Sequence, residues 1–316
     1  VVPIIAAAGL LIPKTSSRAI TSHAGTADVM ETLTRVDLDL ADIRKVVERE
    51  GGCIVWGGAV RLSPADDILI GVERPLDFDS EGQLVASVLS KKIAAGSTHA
   101  VLDLPVGPTA KLRDTEAAAK LSARLKEVAA VFGLTIKIVF TDGTQPVGRG
   151  IGPALEARDV LAVLRNDRLA PSDLRSRALT LAGHLFELAG ATPAGSGWRQ
   201  AEEILVSGAA WTKFQGICEA QGGMREPGRA PLQHGVLAGR DGIITSVQNR
   251  KLAKVAKLAG APGAALAGVD FHVPLGSRVR RGDALFTIHA ETQGELAYSL
   301  AYATAQKDIV QIGDGP

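Results

Sequence analysis

Residues 100–140 read AVLDLPVGPTAKLRDTEAAAKLSARLKEVAAVFGLTIKIVF, and this stretch decides the class of fold. Ala100–Leu104 and Thr135–Phe140 are short, apolar and partly β-branched, as buried strands are. Between them Thr115–Phe132 is dominated by good helix formers, and Asp114-Thr115 supplies a helix start. A strand, a helix and a second strand in succession form the unit from which parallel sheets are built.

Working outward, the same alternation continues. Strands are expected at Cys53–Trp56 and Ile68–Val72. Helices are expected at Val85–Ala95, Pro153–Asn166 and Pro171–Ala189, with Pro153 and Pro171 at helix starts. Residues 1–222 therefore read as an α/β core, a central mixed or parallel sheet with flanking helices. The segment at about 62–95 is expected to be part of a helical substrate-binding domain. The character changes at Gly222-Gly223-Met224-Arg225-Glu226-Pro227-Gly228, a turn-rich boundary. Residues 223–316 read as a C-terminal α+β domain. Its strands are expected at Gly242–Val247, Gly268–Val273 and Ala284–His289, and its helices at Lys251–Leu258 and Glu295–Ala305. Within it, residues 276–285 resemble the turn-and-strand units of barrel-sandwich lipoyl domains. The lysine that carries the cofactor in those domains is missing, so a structural β module is expected.

Composition excludes several classes of function. The 316 residues carry 35 Lys+Arg against 34 Asp+Glu, a net charge of +1, which argues against a nucleic-acid binder that relies on a basic field and leaves room only for a local patch. Aromatics are 4%, too few for a base-stacking platform. The six His are scattered with no H-x-x-x-H or C-x-x-C pattern, so neither a metal nor an organic cofactor is expected. Cys53 and Cys218 cannot build a disulfide framework, which points to a reducing, cytoplasmic compartment. The apolar run Val1–Pro13 is too short to span a bilayer and lacks a basic leader. It reads as a buried helix or strand, and the Met-less start as the opening of an N-terminally incomplete piece.

Four segments could carry chemistry. In residues 14–28, KTSSRAITSHAGTAD, six of fifteen residues are Ser or Thr, with Lys14 and Arg18 among them. Hydroxyls, amides and cations before a helix suit an oxyanion; the plainer alternative is a solvated linker with Thr26 as the helix cap. The second segment is Asp77-Phe78-Asp79-Ser80 with Ser87, Lys91 and Lys92 on the helix that follows. Ser87 and Lys91, four apart, share a face. Paired carboxylates beside Phe78 suit a general acid, or else Asp79 or Ser80 is only a cap. The third is the Gly/Pro loop ending at Lys111, which follows a strand, where open α/β sheets keep ligands. The fourth, Gly148-Arg149-Gly150-Ile151-Gly152-Pro153, has the wrong register for a dinucleotide loop and reads as a tight loop feeding a helix.

Together these residues resemble the signature of the thymidine phosphorylase / AMP phosphorylase family, most closely the archaeal AMP phosphorylases and the bacterial type 2 thymidine phosphorylases. The match runs through residues 14–28, Ser63-Pro64-Ala65-Asp66-Asp67, Ala86-Ser87, Lys91-Lys92, Pro105-Val106-Gly107, Lys111, Gln145-Pro146, Gly148-Arg149, residues 151–156 and Glu219-Ala220-Gln221-Gly222-Gly223. The resemblance implies phosphorolysis: phosphate attacks C1′ of a nucleoside or nucleotide and the free base leaves. Thymidine is the first substrate it implies and AMP the rival; a non-catalytic nucleotide or sugar-phosphate binder is the reading from another class. It also implies roles. Ser17, Arg18, Ala19, Ile20, Thr21, Ser22 and Thr26 match the substrate-phosphate loop, and Ser16 a phosphate-binding hydroxyl. Ser87, Lys91 and Lys111 match substrate-binding residues, and Asp79 the proton donor. Partners implied are the small nucleoside or nucleotide and inorganic phosphate as co-substrate, with no nucleic acid and no membrane. A homodimer or higher homo-oligomer is implied for the full-length protein. Two departures stand out. The family's earlier Gly-rich phosphate loop falls upstream of Val1, and Arg74 lies near, but not at, the position of the arginine that holds a pyrimidine.

Overall fold

The computed structural model describes residues 1–19, 22–60, 81–110 and 112–314. The apolar opening forms helix α1 (Val2–Ala7), with Pro3 in its first turn and Val2 to Ala6 buried. Strand β1 (Ile12–Ser16) follows, then α2 (Thr26–Glu31), α3 (Leu40–Glu50) and β2 (Gly52–Trp56). Asp39 caps α3 by accepting from Asp42 N at 2.8 Å, and Gly51 ends it in the left-handed conformation. β1 and β2 pair in parallel, Ile12 opposite Gly52 and Ser16 opposite Trp56.

A short α4 (Gly57–Val60) leads to the segment in which the strand Ile68–Val72 was expected; that strand, Arg74 and Ser63–Asp67 lie outside the described residues. Description resumes at α5 (Glu81–Ala94), β3 (His99–Val106), α6 (Thr115–Val131) and β4 (Thr135–Asp142). This is the strand–helix–strand unit read from residues 100–140. β3 and β4 pair in parallel from His99↔Thr135 to Val106↔Asp142. Asp114 caps α6 by accepting from Ala117 N at 2.8 Å. Among the described residues the parallel strands form two separate pairs, each with its own core. Val85, Leu89, Leu102, Leu121 and Leu125 pack together under β3 and β4. A larger core gathers α1, α2 and four later helices: α7 (Pro153–Leu164), α8 (Ser172–Leu188), α9 (Gly197–Val206) and α10 (Ala209–Ala220). Ile4, Ile5, Leu33, Leu179, Phe186, Leu205 and Phe214 fill it.

After α10 the chain has no regular structure until β6 (Leu232–Leu237). Then come β7 (Gly242–Val247), α11 (Asn249–Leu258), β8 (Gly268–Phe271), β9 (Arg278–Val279), β10 (Ala284–Ala290), α12 (Gln293–Ala305) and β11 (Val310–Gly313). Sequence reading missed β6 and β11 and placed β9 only within the turn-and-strand stretch 276–285. β6 alternates weakly and carries Gly235, and the other two are at most four residues long. These strands form two antiparallel sheets over a third core built on Phe271, Phe286, Ile288, Leu252 and Val255.

One strand of this C-terminal sheet comes from far upstream. β5 (Gly150–Ile151) pairs with β8, Gly150 opposite Asp270 and Ile151 opposite Val269. Phe271 N donates to Arg149 O at 2.8 Å and Ala154 N to Ala265 O at 3.0 Å. Among the described residues no helix is long and apolar enough to cross a membrane.

Candidate active site

β1 ends on Ser16, and the chain then loops back to start α2. α5 lies across from this loop. The recess between them is a cleft of about 520 Å³. Its walls bring together Ser16, Ser17, Arg18, Ser22 and Thr26 from the loop with Ser87 and Lys91 from α5. Lys14, Thr15, Gly25, Lys92 and Ser97 also line it. Ala19 adjoins the cleft, while Ile20, Thr21, Asp79 and Lys111 lie outside the described residues.

The loop keeps its shape through Asp28. Asp28 Oδ2 accepts from Ala19 N at 2.6 Å and from Gly25 N at 2.8 Å, pinning both sides of the loop to the first turn of α2. Thr26 is the first residue of α2, so the capping position falls to Gly25, which has no side chain to offer. Gly25 is required by a close approach: a Cβ there would stand 2.4 Å from Ser17 O. Part of the donor set that the sequence offers to an anion is thus taken up by the protein's own carboxylate.

Arg18 is also committed. Both ends of its guanidinium donate to the Glu31 carboxylate, one of them at 2.7 Å, and Asp28 Oδ1 is 3.6 Å away. Its Cζ lies over the Trp56 ring, 5.0 Å from the ring centre. The hydrogen bond from Arg18 lowers the Glu31 carboxyl pKa and that same bond raises the guanidinium's. Arg18 therefore fixes the loop, and the pair adds little net charge to the cleft.

The positive charge comes from lysines. Lys91 and Lys92 on α5 face Lys14 on β1 across the recess. Lys92 Nζ donates to Val88 O at 2.7 Å, and Lys14 Nζ to Thr15 O at 3.1 Å. Enclosure by protein, followed by repulsion from Lys14 and Lys91, pushes Lys92 down to about 8. Lys14 is lowered in the same way, first by enclosure and then by Lys91, although its side chain still reaches water. A hydroxyl-lined recess with converging ammonium groups has the chemistry that an oxyanion needs. Sequence reading offered Lys14 as a cation of the Ser/Thr motif and quoted Lys92 beside Lys91 without giving it a role of its own. Lys14 heads the Ser/Thr motif and Lys92 adjoins Lys91, but only the fold brings β1 and α5 face to face.

The motifs at 148–156 and 219–223 hold the structure together. In the loop at 148–153, Gly148 N donates to Asp173, and Arg149 N and Gly150 N both donate to Asp159 Oδ2 at 2.7 Å. Those amides are spent inside the protein, as a tight loop feeding a helix requires. Glu156 accepts from Gly152 N at 3.1 Å and stands 3.2 Å from His23 Nε2, tying α7 to the cleft loop. Gln221 of the Glu219–Gly223 motif is 2% exposed and makes three hydrogen bonds. Among the described residues no group of His, Cys, Asp and Glu could hold a metal. Burial pushes the Cys53 and Cys218 thiols up, to about 11 and about 12, which leaves them unreactive.

The sequence that builds this fold has known relatives. Residues 1–211 match the glycosyl transferase family, a/b domain, and residues 243–309 match the pyrimidine nucleoside phosphorylase C-terminal domain. The class is that of the glycosyl transferases. Within it, the chain belongs to the thymidine phosphorylase family. It is 64% identical over 312 residues to a "Putative thymidine phosphorylase" of Polaromonas sp. (strain JS666), covering 99% of this chain and 61% of that one. "Putative thymidine phosphorylase 1" of Acidovorax sp. (strain JS42) is 62% identical over 314 residues, with 99% and 61% covered. A "Putative thymidine phosphorylase" of Parvibaculum lavamentivorans is 60% identical, with 99% and 62% covered. The chain thus spans about three-fifths of the length of the curated relatives it matches.

Proposed function

We propose that the protein to which this chain belongs is a pentosyltransferase that cleaves the glycosidic bond of a nucleoside with inorganic phosphate, and that thymidine is its substrate, giving thymine and 2-deoxyribose 1-phosphate. The observation that carries this reading is the cleft in which Ser16, Ser17, Ser22, Thr26 and Ser87 surround Lys14, Lys91 and Lys92. Phosphorolysis passes through a sugar with oxocarbenium character. An anionic nucleophile must be held near it, and the departing base gains negative charge. Fixed hydroxyls and ammonium groups position phosphate without reorganising during the reaction. The base needs a proton, and Asp79, outside the described residues, is the donor that the family resemblance implies.

A second reading, AMP to adenine and ribose 1,5-bisphosphate, is favoured by the lysines. Three of them exceed what one co-substrate phosphate needs, and a substrate phosphate would use the remainder. In either case the reaction takes small molecules and phosphate and uses no organic cofactor or metal. The proposed setting is the cytoplasm, the proposed full-length state a homodimer or higher oligomer, and the proposed division of the chain is 1–222 and 223–316. The decisive experiment measures release of free base from thymidine, uridine, AMP and CMP by the full-length protein, with and without phosphate. Phosphate-dependent release is expected with one of them. Binding of nucleoside or nucleotide without any release would make the protein a binder. Asp79→Asn is expected to lower kcat by about a hundredfold or more, the usual scale of general acid catalysis, with KM little changed. An unaltered kcat would reduce Asp79 to a helix cap.

A further inference from the structure

The lysine cluster has a chemical consequence that phosphate binding does not use. Lys92 shares the cleft with Lys14, from a different element, and with its neighbour Lys91. Protein encloses it, and the two other ammonium groups repel its charge. At pH 7.5 an amine with the value of about 8 given for Lys92 is about a quarter neutral, against roughly one part in a thousand for an ordinary lysine. The neutral amine is a nucleophile, and its hydrogen bond to Val88 O aims the nitrogen without using its lone pair. Lys14 and the hydroxyls of Ser16 and Ser17 line the same cleft, where an anion would lie beside Lys92.

We propose that Lys92 is a site of reversible carbonyl condensation, and that the compound it takes is an aldehyde carried on a phosphate ester, the class that includes open-chain aldose phosphates. The phosphate sits among Lys14, Lys91 and the hydroxyls of Ser16 and Ser17, which places the aldehyde beside the Lys92 nitrogen. The nitrogen lone pair adds to the carbonyl carbon, and the carbonyl oxygen takes up a proton. Loss of that oxygen as water leaves a C=N bond. One water is released and nothing is oxidised or reduced. Such an adduct would block the cleft until water reverses it, so a sugar phosphate would act as a covalent, reversible inhibitor. The inference needs only the cleft and stands apart from the choice of phosphorolysis substrate.

The test treats the full chain with pyridoxal 5′-phosphate at pH 7.5, reduces the adducts with borohydride and locates modified lysines by peptide mass spectrometry. Parallel arms use ribose 5-phosphate and unphosphorylated pyridoxal. Lys92 is expected to carry at least about tenfold more label than exposed Lys126. Inorganic phosphate should suppress that label, pyridoxal should label Lys92 several-fold less, and ribose 5-phosphate should label it with the same preference. Lys14→Gln should lower the Lys92 label several-fold, while Lys14→Arg, which keeps the charge, should preserve it. Equal labelling of Lys92 and Lys126, undiminished labelling by pyridoxal, or label on Lys14 or Lys91 in place of Lys92 would each overturn the proposal. The readout is a modified residue, so it remains informative whether or not the protein cleaves any nucleoside.

Discussion

At the scale of single residues, the cleft depends on side chains that do not line it. Asp28 accepts two backbone amides nine and three residues away and also attracts Arg18. Asp28→Asn keeps the shape but trades a charged acceptor for a neutral one, which costs about 1.5–3 kcal/mol where charged hydrogen bonds are lost. The expected result is a lowered Tm together with a raised KM for phosphate. A changed Tm with an unchanged KM would show that the loop does not hold phosphate. Gln221 is a second case. Its Oε1 accepts from Ile54 N at 2.9 Å, and its Nε2 donates to Arg35 O at 2.8 Å and Ile54 O at 3.0 Å. Gln221→Leu strands these backbone groups in the interior and is expected to cost about 2–4 kcal/mol in denaturant unfolding, more than one unsatisfied partner alone. The Ser/Thr motif stands out in sequence because hydroxyls and cations crowd into fifteen residues. The buttressing role of Asp28 and Gln221 does not, because it depends on which backbone amides fold close to them.

At the scale of elements, the strand–helix–strand unit at 100–140 and the long helices α6, α7 and α8 follow from periodicity and start signals. α9 and α10 do not stand out, because Gly197 and Gly208 open them with no side-chain cap. The reason for Gly197 is a helix crossing. A Cβ on it would stand 2.1 Å from Gly183 O, and one on Gly183 would stand 2.6 Å from Trp198 N. α8 and α9 therefore meet backbone to backbone. Gly183→Ala must push them apart, and overpacking of this kind typically costs about 1–3 kcal/mol. Thermal unfolding should report that loss, and a neutral substitution would mean that the two helices can shift freely. The meeting of β1 with α5 is the same kind of fact, set by tertiary packing and invisible to any local window.

At the scale of the whole molecule, the two larger cores meet across the seam formed by β5 and β8. Close to it sits His289 on β10, 7% exposed, with no hydrogen-bond partner for either ring nitrogen among the described residues. Asp270 and His272 face it from β8 and the turn after it, Arg158 from α7 and Arg229 from the segment before β6. Burial is the main cause of a lowered pKa, and Asp270 opposes it. A histidine whose folded pKa lies below its unfolded value leaves the protein fully stable above about pH 6.5, and stability is lost as pH falls toward the folded value. His289→Leu should shrink the drop in Tm between about pH 7.5 and pH 5.5, since nothing is left there to protonate. An identical drop in the variant would assign the acid sensitivity elsewhere.

The pairing of β5 with β8 also sets an order of events during synthesis. Gly150 and Ile151 leave the ribosome long before Gly268 to Phe271, and their partner strand does not yet exist. The α/β region can bury its helices in the meantime, but this two-residue edge must wait, exposed, for the C-terminal sheet to arrive. The last third of the chain thus finishes a piece of the middle, and a ribosome stalled after Gly222 would hold a nascent protein with an open seam beside α7.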